Sequence, residues 1–268
     1  MKEEFFVPDY LYQYTNLETL ALILKNKNIK FNSLINVDDL EEAKGEEIDV
    51  FGKFIYASCW TDKAEENIAL WNMYANRMQG VRIALPIYPF RDEKSNVEIQ
   101  LKKYRVSLIE YGSDIIDLDE DKYIWKDFKM FNYYQLRQVG YTDNEGKLFP
   151  KIIKKDDENR VRIDQQKLGV YKRKQWEFQQ EWRYLIYLGL KERDTKDAQK
   201  VISALKRIKR IPSNIFVEIE EECFKKMKVL LGPGTNEAER IIVEALREKY
   251  NQDMVIEESY FKDKILIK

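Results

Sequence analysis

The apolar residues of this chain come in short runs, and that limits it to a fold built from many brief elements. Tyr10–Tyr14, Phe54–Trp60, Val81–Leu85 and Glu181–Tyr187 are each a few residues long, rich in aromatic and β-branched side chains and bounded by polar segments, which is how strands read. No run approaches the roughly 20 apolar residues that cross a bilayer. Between the runs the spacing becomes helical. Thr15-Asn16-Leu17-Glu18 has capping-box spacing, and Leu17, Leu20, Ala21 and Leu24 form the stripe of the helix that follows. Ile29–Ser33 is a second strand, and Ile68, Leu70, Trp71 and Tyr74 mark a second helix closed by Gly80. The expected class is α+β, a mixed, mostly antiparallel sheet core with flanking helices.

The rest of the chain continues this pattern. Asp38-Asp39-Leu40-Glu41-Glu42 reads as a short acidic helix, residues 97–111 as one or two antiparallel strands, and the aromatic-rich residues 121–139 as a helix. The polar stretch 141–167 reads as a mobile insertion. A helix over 196–208, strands over 214–219 and 227–231, a helix over 235–249 and a last pair of short strands follow. The whole is expected as one domain over 1–268, with 212–268 as a C-terminal strand-helix-strand appendage.

Composition removes several kinds of chemistry. The chain has 268 residues, 44% hydrophobic and 35% charged, and no histidine. Ser-His and Cys-His triads, imidazole acid–base work and most zinc sites are therefore excluded. The two cysteines, Cys59 and Cys223, sit in apolar surroundings and read as buried free thiols. The first residues are acidic where a signal peptide is basic, so a cytoplasmic protein without membrane attachment is expected. The net charge of −1 implies no general polyanion surface, and the basic run Lys200–Arg210 reads first as a solvated helix face.

Three constellations carry possible chemistry. Asp38, Asp39, Glu41 and Glu42 offer carboxylate oxygens, but adjacent acids on a short helix cannot all face one ion, so no metal is expected. Gly232-Pro233-Gly234-Thr235-Asn236 lies between a strand and a helix and reads as a turn with Thr235 or Asn236 as N-cap. The richest segment is Tyr171–Arg183. Strand alternation sets Gln179, Glu181 and Arg183 on one face and Gln180, Trp182 and Tyr184 on the other. That face fits either a polar site or a structural Glu–Arg pair.

Four blocks together resemble the bacterial family catalogued as domain of unknown function twenty-nine seventy-one. They are Leu11–Thr15 to Asn32-Ser33, Ser58-Cys59-Trp60 to Trp71–Ala75 with Gly80, Trp176 to Arg183, and Leu231-Gly232-Pro233. More loosely, Tyr12-Gln13-Tyr14-Thr15 with its helix, Phe31-Asn32-Ser33 and Gln179-Gln180-Glu181 are similar to the ADP-ribosyltransferase-like superfamily. That likeness implies an ADP-ribosyltransferase-like fold and NAD as substrate, in a bacterial toxin or phage-defence (antiviral) effector that modifies nucleic acid or a protein. Glu181 would stabilise the ribosyl cation and Gln179 would orient the acceptor. Tyr12, Gln13, Tyr14, Thr15, Ser33, Trp71, Tyr74 and Arg183 would line the NAD pocket. Gln13 stands where that superfamily carries a histidine or arginine, and it supplies hydrogen bonds without charge. A noncatalytic nucleotide- or nucleic-acid-sensing module of the same fold is the alternative, and a nuclease using Asp38, Asp39, Glu181 and a metal is a third.

Overall fold

The opening aromatic run and the apolar stripe behind it fold as strand, helix and strand: β1 (Tyr10–Thr15), α1 (Leu17–Asn26) and β2 (Asn28–Ser33). The computed structural model describes residues 8–46, 49, 51–90, 128–155, 161–190, 206 and 211–265. The cap of α1 is Asn16 rather than Thr15, since its side chain accepts from the Thr19 amide at 2.8 Å. Lys27 closes the helix in the left-handed conformation, φ 49°. β3 (Ile55–Thr61), α2 (Ile68–Tyr74) and β4 (Val81–Pro86) follow. The Asn67 side chain starts α2 by accepting from the Ala69 and Leu70 amides.

Later elements are β5 (Phe128–Gln138), β6 (Gly140–Tyr141), α3 (Glu145–Leu148), β7 (Ile153–Lys155) and β8 (Val161–Ile163). Then come β9 (Tyr171–Lys172), β10 (Glu181–Leu190), β11 (Asn214–Glu218) and α4 (Glu221–Lys225). The chain ends in β12 (Lys228–Leu231), α5 (Glu237–Tyr250) and β13 (Val255–Glu258). Asn236 caps α5 through a reciprocal box with Glu239.

Two sequence expectations are corrected. The helix read over 121–139 is, from 128 to 138, strand β5 paired antiparallel with β10; residues 121–127 lie outside the described residues. Aromatic side chains suit a pleated surface as well as a helix, and the ladder to β10 decides between them. Asp38–Glu42 is a turn rather than a helix, because Asp39 takes the Glu41 amide on its side chain and the Glu42 amide on its carbonyl. The strands read over 97–111 and all of the helix over 196–208 except Lys206 also lie outside the described residues.

Among the described residues nine strands form one sheet in the order β11-β2-β3-β1-β4-β12-β13, with β10 on β3 and β5 on β10. Every pairing in it is antiparallel except β12 with β13. The strands at Tyr10–Tyr14, Phe54–Trp60, Val81–Leu85 and Glu181–Tyr187 thus share one sheet. The C-terminal residues read as an appendage supply strands to both flanks of it. One face packs with Leu11, Phe31, Tyr56, Trp60, Ile83 and Tyr184 in a core cluster with α1 residues Leu20, Ile23 and Leu24, and the other is also buried around Ile55, Ala57, Leu185 and Tyr187. No described helix is long and apolar enough to cross a membrane.

The sheet divides at β3. Along one edge, β10 pairs with β3 from Tyr187↔Ile55 to Glu181↔Thr61. Along the other, β2 holds only Tyr56 and Ala57, and β1 holds only Thr61. β1 and β2 splay apart between those points, and among the described residues Ser58, Cys59 and Trp60 have no ladder partner on that edge.

Candidate functional site

The division fixes where the site lies. Registers Tyr12↔Thr61, Asn32↔Ala57, Glu181↔Thr61 and Arg183↔Cys59 put those residues on the face opposite Leu11, Phe31, Trp60 and Tyr184, because side chains alternate along strands. A cavity of about 300 Å³ opens there, lined among others by Tyr12, Gln13, Tyr14, Asn32, Cys59, Tyr74, Gln179 and Glu181. Gln13 alternates to the core face, but its side chain turns into the gap and its Nε2 donates to the Cys59 carbonyl at 2.9 Å. An amide thus satisfies one of the backbone groups that the splayed strands leave open.

Behind the cavity two cations and two carboxylates are packed together, all nearly out of solvent: Lys172 at 2% exposure, Arg183 at 0%, Glu42 at 4% and Glu181 at 4%. Lys172 Nζ donates to Gln179 Oε1 at 2.7 Å and Glu181 Oε2 at 2.8 Å. It also lies 3.1 Å from Glu42 Oε1, close enough to pair electrostatically but not aligned as a hydrogen bond. Arg183 grips Glu181 in a fork, Nε to Oε1 and Nη2 to Oε2 at 3.0 Å. Its Nη1 donates to Glu42 and, at 3.0 Å, to the Gly169 carbonyl. Such a cluster is tolerated in the interior because the formal charges cancel and its carboxylate oxygens, apart from Glu42 Oε1, accept hydrogen bonds.

Protonation follows from this geometry. Burial alone would raise the Glu181 carboxyl, but Arg183 and Lys172 beside it, with the Arg183 hydrogen bond, hold it at about 2. Burial also opposes the Lys172 charge, yet Glu181 and Glu42 more than offset this and keep it protonated. Glu42 moves the other way: burial raises it, Glu181 adds to that, and Arg183 and Lys172 only partly oppose it. Burial pushes the free Cys59 thiol well up, which leaves it a poor nucleophile.

A chain of hydrogen bonds runs from the cluster to the surface. Gln179 Nε2 donates to the Tyr74 hydroxyl at 2.6 Å, and that hydroxyl donates to Asp38. Gln179 ends a 3-10 turn over Lys174–Gln179, and Gln180 follows in the left-handed conformation at φ 43°. That turn, rather than strand alternation, aims Gln179 and Glu181 to the same side.

Of the residues that the sequence marks as candidates, Tyr12, Gln13, Tyr14, Tyr74, Gln179 and Glu181 meet at this cavity. The Arg82 guanidinium stands 4.7 Å over the Tyr12 ring. The Tyr14 hydroxyl accepts from the Asn67 amide at 3.0 Å. Four other candidates do not line the cavity. Thr15 is buried at the end of β1, Ser33 donates to the Gly52 carbonyl at 3.4 Å, Trp71 is fully buried with its Nε1 on Glu66, and Arg183 sits inside the ionic cluster. Sequence reasoning does not assign Lys172, Glu42, Asn32 or Cys59 to this site. Lys172 lies within the rich segment Tyr171–Arg183 and Glu42 within the acidic run Asp38–Glu42, but nothing local joins the two.

The three acids of the nuclease reading are each already engaged, and Asp38 and Glu181 both lie on Lys172, at 4.0 Å and 2.8 Å from its Nζ. Asp38 holds the Tyr74 hydroxyl, Asp39 caps its own turn and Glu181 is locked to two cations. Among the described residues no group of three or more His, Cys, Asp or Glu is placed to hold a metal ion. Residues 70–184 match the model of a family described as a protein of unknown function, DUF2971. That span takes in Tyr74, Lys172, Gln179, Glu181 and Arg183. No curated protein and no solved structure matches the chain.

Proposed function

We propose that the cavity at the division of the sheet binds a nucleotide-like ligand, with NAD the first to test. The observation that carries this is the meeting of three tyrosines, Tyr12, Tyr14 and Tyr74, with the amides Gln13 and Asn32 in one partly enclosed space. Aromatic surfaces with a few hydrogen-bonding groups suit a flat heterocycle with a hydroxylated sugar. A volume of about 300 Å³ suits one nucleoside-sized moiety, so a dinucleotide would lodge one half there.

ADP-ribosyl transfer is the second reading, favoured by Gln179 and Glu181 reaching the same cavity. It stands second because both Glu181 oxygens are already bound by Arg183 and Lys172. A carboxylate whose charge is offset this closely has little left for a developing ribosyl cation. Titration calorimetry with NAD, ADP-ribose and AMP separates the outcomes. Saturable binding is expected for the wild-type protein, and Tyr12→Ala should weaken it about tenfold or more, the loss of one stacking surface. No saturable binding of any of the three ligands would overturn the proposal. ADP-ribosyl transfer from NAD that is lost in Gln179→Ala while NAD hydrolysis is retained would put transfer first.

A further inference from the structure

A second concavity lies on the other side of the short parallel ladder formed by β6 and β9. It measures about 770 Å³, and its charged lining is Arg137, Lys147, Lys151 and Lys167 against one acid, Glu46. Among the described residues Glu46 pairs with Lys151, at 3.4 Å. Lys167 donates to the Lys151 carbonyl at 3.1 Å and lies 3.7 Å from Asp164. Lys147 stands 5.3 Å over the Tyr171 ring, and Arg137 donates to the neutral Gln135 amide at 3.2 Å. Among the described residues neither Arg137 nor Lys147 meets a carboxylate. The chain as a whole carries −1, so this cation excess is local. Concave walls focus the field of such a cluster on whatever enters.

The cleft is built by the same ladder that supports the first site. Tyr171 and Gly140 line the cleft, whereas their neighbours Lys172 and Tyr141 touch Glu181. Gly140 lets the wall close on Tyr171, since a Cβ there would lie 2.6 Å from the ring. The four cations come from β5, α3, the segment two residues ahead of β7 and the turn ahead of β9. Gln138 and Gln166 add amides able both to donate and to accept.

We propose that this cleft binds a phosphodiester strand, single-stranded nucleic acid, independently of any ligand in the first cavity. Its volume exceeds that of the nucleoside-sized cavity, its cations are spread over four segments, and aromatic and amide groups lie among them. Together these suit successive phosphates and bases better than one compact anion.

The test is fluorescence anisotropy of the full chain with a labelled oligonucleotide of about a dozen nucleotides across about 50 to 200 mM salt. Tripolyphosphate serves as the competing source of phosphate. Binding should weaken with salt. Arg137→Ala with Lys147→Ala, both exposed, should weaken it severalfold and flatten the salt slope by about 0.7 for each phosphate that is no longer neutralised, with thermal melting unchanged. Lys249→Ala, on the exposed side of α5, should bind as wild type. No oligonucleotide binding at the lowest salt, equal affinity in the double variant, or binding of tripolyphosphate alone would each overturn the assignment.

Discussion

Lys172 shows how a single side chain can be both hidden in a sequence and central to a fold. Removing it leaves Glu42 and Glu181 to share Arg183, and breaking a buried pair from one side is costly. Lys172→Met should lose about 3–5 kcal/mol in urea unfolding at neutral pH. Acid gives the sign of the effect. Glu181 has a folded pKa of about 2 against an ordinary 4.5, so its stabilisation is present above pH 4.5 and lost as pH falls toward 2. The variant holds Glu181 less firmly in its charged form and has less to lose, so its deficit should narrow over that window. A deficit that stays constant from neutrality to pH 2 would contradict this pairing. Glu181, Gln179 and Arg183 are legible as one polar face because they are sequence neighbours. That Glu42 and Lys172 join them is not legible, because they reach the same point from a turn and a two-residue strand far apart in the chain.

At the level of elements, capped helices and short apolar strands are the most readable features, since their signals are local. Asn67, Asn236 and the strand at Ile55–Thr61 need no tertiary information to recognise. β5 reads as a helix because its pairing with β10 is supplied by a strand more than forty residues later. The Gly232-Pro233-Gly234 turn is legible as a turn, but its reason is tertiary. Gly232 donates to the Gly80 carbonyl and Gly234 to the Met78 carbonyl, each at 2.9 Å. A Cβ on Gly232 would collide with the Met78 carbonyl oxygen and fall 2.7 Å from that of Gly80. Gly232→Ala should therefore force β12 away from the turn after α2 and cost about 1–3 kcal/mol, read as a lowered melting temperature. An unchanged melting temperature would show that this close approach yields without cost.

Across the whole molecule, the lack of histidine and the charge-balanced cluster place the acid–base behaviour of the site on carboxylates, lysine and tyrosine. The sheet binds these groups into one frame, with β10 and β3 carrying the cluster and β1 and β2 opening beside it. The splayed strands also have a consequence for exchange with solvent. Cys59 turns its carbonyl, and with it its amide N–H, toward the gap, where no strand pairs with it. That N–H sits inside a nine-stranded sheet but belongs to an edge, so its proton should exchange with deuterated water far faster than those of the laddered residues of β10. A ligand seated in the gap would slow it, which makes one backbone proton at the centre of the protein a direct gauge of whether the cavity is filled.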